Sequence, residues 1–262
     1  MDAAVYQVDA FTKHAFGGGP AIIFVVEDPE LSTDTYLRAT QEFQQPVASF
    51  LSGSNGDWQV RFFDSTHELG LVGHSGLASA YVAHTYLPIE GDLAILKSPV
   101  GGPMPTQRDG QLVSIELKPM SRSPRPAREL EEAIGGSTSI VEALDSSFGP
   151  VAILGQEREV AEFEPDYERL ALLAGALTIS APGDDVDFVS RVFPARPDFP
   201  EDPVCGTAHR ILAPYWSEKL GRSRLQATQV SWRRGEFICE DLGDTVRLSG
   251  QCVEVMAGRA EL

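Results

Sequence analysis

Apolar and polar side chains roughly alternate from Val5 to Phe11, the two-residue period of a half-buried strand. Gln59-Val60-Arg61-Phe62-Phe63 and Val186-Asp187-Phe188-Val189 read the same way. Thr33 or Asp34 is a suitable N-cap for a helix running to about Gln44. From Ser75 to Leu87 the chain is small or apolar nearly all round, through Leu77, Ala78, Ala80, Tyr81, Val82 and Ala83. Such a helix is buried on most faces, as if enclosed by sheet. A later helix sets Ile211, Leu212, Tyr215, Trp216 and Leu220 on one face, with Pro214 as an interior kink. Gly235, Gly243 and Gly250 divide the stretch from Leu225 to Val255 into short strand-like runs. Lys118 to Arg128 carries Pro119, Pro124 and Pro126 among basic residues and reads as a linker.

The pattern repeats. Gly19-Pro20-Ala21-Ile22-Ile23-Phe24 has a counterpart in Gly149-Pro150-Val151-Ala152-Ile153-Leu154, 130 positions on. Arg61-Phe62-Phe63 pairs with Arg191-Val192-Phe193 at the same offset. Asp34-Thr35-Tyr36-Leu37 and Pro165-Asp166-Tyr167-Glu168 each start a helical pattern in between. Two glycine turns follow: Glu68-Leu69-Gly70-Leu71-Val72-Gly73-His74-Ser75-Gly76, and Glu201-Asp202-Pro203-Val204-Cys205-Gly206-Thr207-Ala208-His209. Matches in the same order at a nearly constant offset predict two similar halves. The expected fold class is α/β (α+β), with one domain over 1–118 and a second over 119–251. A terminal strand at about 252–262 is free to return to the first. Each turn opens a helix, so each presents unpaired amides and a partial positive charge suited to a carboxylate or an oxyanion.

Composition narrows the partners. The 262 residues carry 21 basic and 38 acidic side chains, a net charge of −17. That charge argues against nucleic acid or an anionic membrane surface, both of which would be repelled. Three cysteines, Cys205, Cys239 and Cys252, do not make a disulfide framework. The first residues lack a signal-peptide pattern, and the apolar run Ala21 to Val26 is far short of a membrane span. A cytoplasmic protein acting on a small molecule is expected. Cys205 and His209 have metal-compatible spacing but no second cluster, and Gly17-Gly18-Gly19 lacks the rest of a phosphate loop. Neither a metal nor an organic cofactor is expected.

Val8-Asp9-Ala10-Phe11 with Gly19-Pro20-Ala21, the Gly73-His74 turn and Glu201 to His209 together resemble the PhzF-like phenazine-biosynthesis family of the diaminopimelate epimerase superfamily. The resemblance continues through Ala213-Pro214-Tyr215-Trp216 and Gln229-Val230-Ser231-Trp232-Arg233. It implies two pseudo-symmetric domains, each a curled, mostly antiparallel sheet around a central helix, with the active site between them at the two helix starts. It also implies proton-moving isomerase chemistry in biosynthesis or secondary metabolism, and leaves a homodimer open.

The chain departs from the family at two places. The epimerase branch has a cysteine at each turn, whereas this chain has Val72 at the first and Cys205 at the second. The family's catalytic glutamate falls at Val47, in Pro46-Val47-Ala48-Ser49-Phe50. The resemblance makes His74 and Asp202 the candidate catalytic residues, as proton carriers or hydrogen-bonding groups. Gly73, Ser75, Gly206, Thr207 and Cys205 are candidate substrate-binding residues; a helix start can also lower a thiol's pKa, whereas a lone cysteine is more often a buried small apolar residue. Glu201 and Glu68 read as a duplicated structural pair. Glu42 is the nearest alternative acid to Val47 and is expected on an exposed helix face. Two functions are compatible with these residues: a cofactor-independent isomerase or cyclase, and a lapsed scaffold that binds a ligand or partner.

Overall fold

The computed structural model describes residues 2–27, 31–54, 56–135, 138–196 and 199–262. In chain order the elements begin with β1 (Asp2–Ala10), β2 (Gly19–Val25), α1 (Thr33–Glu42), β3 (Ala48–Ser54), β4 (Asp57–Phe63) and β5 (Glu68–Leu69). Next come α2 (Gly73–Tyr86), β6 (Leu93–Ser98), β7 (Gly102–Asp109), β8 (Leu112–Leu117), β9 (Arg122–Arg125), α3 (Ala127–Ile134), β10 (Glu142–Ser146) and β11 (Val151–Ile153). The chain continues through α4 (Glu157–Ala161), α5 (Tyr167–Leu170), β12 (Leu177–Pro182), β13 (Phe188–Phe193), α6 (Gly206–Leu220), β14 (Arg224–Gln229), β15 (Gly235–Asp241) and β16 (Val246–Glu261). Two compact units result, Met1–Leu117 with Arg247–Leu262, and Lys118–Val246.

In the first unit β1, β2, β3, β4, β6, β7 and β8 follow one another in the sheet, and β16 lies between β8 and β1. The β1–β16 ladder runs from Asp2↔Glu261 to Ala10↔Cys252, so the sheet closes on itself. Helix α2 touches β1, β2, β3, β7 and β8, strands from opposite sides of the ring. That enclosure is why its sequence is apolar nearly all round: Gly73 and every residue from Ser75 to Ala83 except Tyr81 are buried. Strand alternation supplies the second surface, where Ala3, Val5, Ile22, Phe24, Ala48, Phe50 and Phe63 pack with Tyr36 and Ala39 of α1. Ser32, rather than Thr33 or Asp34, caps α1, accepting from the Thr35 amide at 3.1 Å. Helix α1 ends at Glu42 because Gln44 has φ 51°, outside the helical region. Gly250 does not interrupt the last strand, since its neighbours are held: Ser249 Oγ meets Ser114 Oγ at 2.8 Å, and the Gln251 carbonyl accepts from Thr12 N at 3.0 Å.

The second unit repeats the same series of pairings. In the first, β1–β2 is antiparallel, β2–β3 parallel, β3–β4 antiparallel, β4–β6 parallel and β6–β7 antiparallel. In the second, β10–β11, β11–β12, β12–β13, β13–β14 and β14–β15 follow that alternation. The outer surface of this sheet, with Leu177, Ile179, Ala181, Val189 and Phe193, is covered by Leu130, Ile134, Val160, Phe163 and Leu170. The halves differ at their tyrosines: Tyr36 is buried, whereas Tyr167 is 45% exposed on the short α5. The 118–128 segment is more than a linker. It contains β9, which pairs with β10 and takes Pro124 at the free edge, where a missing N–H is tolerated.

Helix α6 buries Ile211, Leu212, Tyr215 and Trp216, but Leu220 in its last turn is 41% exposed. Pro214 removes the amide that would bond to the Arg210 carbonyl. That carbonyl instead accepts from Met120 N at 3.3 Å, while Arg210 Nε donates to the Lys118 carbonyl at 2.7 Å. The helix thus runs through its proline by using the freed acceptor to hold the start of the second unit.

Candidate active-site turns

Each turn is anchored from behind by the same pair of side chains. In the first, β5 lies against the end of β4, with Phe62↔Leu69 and Phe63↔Glu68. Arg61 Nε and Nη2 donate to the two Glu68 carboxylate oxygens at 2.8 and 2.6 Å. The guanidinium also lies over the rings of Tyr36 and Phe63, 4.7 and 5.1 Å from their centroids. In the second, Arg191 meets Glu201 in the same bidentate way at 2.7 and 3.1 Å and lies 4.8 Å from the Phe193 ring. Glu201 is therefore occupied as a structural ion pair, as its match with Glu68 suggested.

The bridge Val192↔Asp202 corresponds to Phe62↔Leu69, so Asp202 stands where the first turn has Leu69. Val72 then matches Cys205, Gly73 matches Gly206 and His74 matches Thr207. Leu71 and Val204, one in each turn, pack closely against a glycine of a later hairpin. A Cβ on Gly101 would come within 2.5 Å of Leu71, and one on Gly235 within 2.7 Å of Val204. These glycines leave room for Leu71 and Val204 where a side chain would collide with them.

Both helices begin behind a residue, Val72 or Cys205, that makes no side-chain cap hydrogen bond. In the first unit Gly73 and Ser75 are buried and His74 is half-buried; Ser75 Oγ is enclosed without a hydrogen-bond partner. In the second, the structure brings Asp202, Cys205, Gly206 and Thr207 into one turn. Asp202 Oδ1 accepts from Val204 N at 3.0 Å, and Asp202 and Thr207 are half-buried. Cys205 is 4% exposed, and burial together with the Asp202 charge pushes its thiol well above the ordinary value. Of the two readings open for this cysteine, the structure agrees with the buried small apolar residue and not with the lowered, reactive thiol: desolvation outweighs the helix start.

Val47 sits just ahead of β3, buried, and Ser49 two residues on has an enclosed hydroxyl without a partner. Register connects this strand to the first turn through Ser49↔Phe62 and Phe62↔Leu69. Glu42 ends α1 exposed to solvent. Side chains that sequence reasoning left without a role hold the second turn. Gln229 at the end of β14 bonds to the backbone of both Asp202 and Cys205. Ser231 Oγ donates to the Pro203 carbonyl at 2.6 Å, and His209 Nδ1 lies 2.8 Å from the Cys205 carbonyl. Gln229 and Ser231 lay within a stretch noted for its resemblance. Their contacts are long-range, so nothing in the local pattern linked them to Asp202.

Among the described residues no helix is long and apolar enough to cross a membrane. Two curated relatives from Pseudomonas aeruginosa, both named uncharacterized isomerases, are 32% identical over 263 residues and 30% identical over 266, covering all of each chain. A crystal structure of a PhzF-family phenazine biosynthesis protein from Enterococcus faecalis superposes with a TM-score of 0.90 at 32% identity, covering both chains completely. Residues 8–258 match the profile of the PhzC-PhzF family, described as phenazine biosynthesis-like protein. The paired helix starts, the doubled strand series and these matches agree: the chain belongs to the phenazine biosynthesis-like (PhzF) family.

Proposed function

We propose that the protein is a cofactor-independent isomerase or cyclase acting on a small carbonyl- or carboxylate-bearing metabolite. The observation that carries this reading is the pair of helix starts without side-chain caps, each fixed by a half-buried Arg–Glu pair. Amides presented in this way suit a carboxylate or a developing oxyanion. Gly73, Ser75, Gly206 and Thr207 offer main-chain and hydroxyl donors, Cys205 packs beside them, and His74 and Asp202 move protons or polarise the substrate. The isomerase names of the two bacterial relatives support the reaction class. Valine at position 47 favours chemistry that depends more on orientation and polarisation than on a strong base, such as tautomerisation, ring closure or a pericyclic step.

The test is deuterium incorporation from solvent, and product formation, over a panel of small carboxylates and carbonyl compounds. His74→Ala and Asp202→Asn should each lower turnover by about 10²- to 10⁴-fold, the usual range for a positioned acid or base. A native protein that transforms none of the panel and exchanges no deuterium would remove this reading.

The burial of Val47 favours a second reading, a scaffold that keeps its ligand site without catalysis. Gain of proton exchange in Val47→Glu, from an inactive native protein, would support it. Native turnover abolished by either of the two substitutions above would exclude it.

A further inference from the structure

The second turn is held by two fully buried side chains to which the proposed chemistry gives no part. Gln229 spans the turn, its Oε1 accepting from Cys205 N at 2.8 Å and its Nε2 donating to the Asp202 carbonyl at 2.5 Å. His209, one turn into α6, approaches the Cys205 carbonyl through Nδ1 at 2.8 Å. A carbonyl has no proton to give, so Nδ1 carries the hydrogen and Nε2 is a bare acceptor. That Nε2 is enclosed without a partner, in a ring stacked 3.7 Å from Phe237 and lying 5.8 Å from Phe188. Burial pushes the imidazole down to about 4, so the ring is neutral and its donor is fixed at neutral pH.

An unpaired buried acceptor is a cost that leucine or phenylalanine would not incur at the same place. A histidine that only filled the core would carry this cost for nothing. Its other nitrogen, on the carbonyl at the helix start, is the contact that an apolar residue cannot supply.

We propose that His209 and Gln229 are positioning residues, fixing the peptide planes from Asp202 to Cys205 and through them the directions of the Asp202 carboxylate and the Gly206 amide. What the turn does rests on the reading given under Proposed function; how it is held does not.

The experiment measures alkylation of Cys205 by iodoacetamide in the full chain, with peptide mapping, beside thermal melting and turnover. His209→Leu and Gln229→Leu raise the Cys205 alkylation rate by about tenfold or more, the factor expected for loss of one buried hydrogen bond. His209→Asn, which places an amide nitrogen near the position of Nδ1, stays close to the native rate. His209→Leu melts no lower than native protein, because the orphan acceptor has gone. In turnover, the two leucine variants lose kcat by about 100-fold with little change in KM, as for an ångström-scale misplacement of a reacting group. Unchanged alkylation in both leucine variants overturns the proposal. So does alkylation whose denaturant dependence shows that it proceeds only by global unfolding, or a loosened turn with native kcat. A native protein without turnover would sink the isomerase reading alone, with the holding role still decided by Cys205 labelling.

Discussion

Arg191 and Glu201 form a bidentate ion pair with side chains only 14% and 12% exposed, and the same guanidinium reaches the carbonyls of Val160, Ala161 and Phe163. One arginine therefore joins the second turn to the helix α4 region. Its partner at the first turn, Arg61–Glu68, uses aromatic faces in place of carbonyls. The duplicated halves keep the anchor and vary its surroundings.

Breaking such a pair from one side leaves an uncompensated charge, at a cost of about 3–5 kcal/mol. Glu201→Gln should lower the free energy of unfolding by about that amount. Arg191→Met should lower it further, because three carbonyls also lose a donor. Urea denaturation of both variants checks the order; equal stabilities for the two would contradict the role given to the carbonyl contacts.

The buried imidazole of His209 predicts an acid limb in stability. Its folded value, about 4, lies below the ordinary histidine value of 6.5, so between these values the unfolded chain binds the proton first. Stability contributed by the neutral ring is intact above 6.5, falls as pH drops through that window, and levels off below 4. The shift corresponds to about 3 kcal/mol, to order of magnitude. In His209→Leu the slope of unfolding free energy against pH should be smaller by up to one proton between pH 6.5 and 4. Native and variant curves that run parallel there would show that His209 does not carry the effect.

Cys205 should behave as packing and not as a nucleophile. Burial pushes its thiol up, so native protein at pH 8 should alkylate slowly at this position until it is unfolded. Cys205→Ala should retain turnover within about tenfold, a loss far smaller than removal of a reacting group brings. A drop of the size expected for His74 or Asp202 would return the thiol to the chemistry.

Pro214 governs how the second unit begins. Pro214→Ala supplies an amide that competes with Met120 N for the Arg210 carbonyl, so α6 should become more regular while Met120 is released. Amide exchange at Met120 should rise by about tenfold, as for loss of one hydrogen bond. Unchanged exchange would mean that the Met120 contact is incidental.

Much of this was legible in the sequence because the informative signals were local or repeated. The enclosure of α2 follows from its lack of a polar face. The doubling follows from Gly19-Pro20 and Gly149-Pro150, which open equivalent strands. The glycine turns announced the helix starts. What escaped was set by distant contacts. Arg61 and Arg191 were seen as repeat markers, yet their pairing with Glu68 and Glu201 depends on strand register. Nothing near Gln229 indicates that it will span a turn 24 to 27 residues earlier. For Cys205 the helix start and burial pull the thiol in opposite directions, and only the packing around it shows that burial wins. Ser49, two residues after Val47, has an enclosed and unpartnered hydroxyl that no local pattern signals.

The β16 ladder with β1 also bears on how the chain reaches its native state. The second unit is continuous in sequence, whereas the ring of the first is completed by a strand from the far end of the chain. During synthesis the early strands must wait for those last residues, with β1 and β8 left as open edges. Pairing between segments so far apart is slow, because a very long loop must close first. The middle of the polypeptide is thus free to fold first, and the part made earliest is finished last. A chain shortened at its C-terminus would leave those two edges exposed to pairing with other molecules, so the final strand guards the protein against aggregation as it folds.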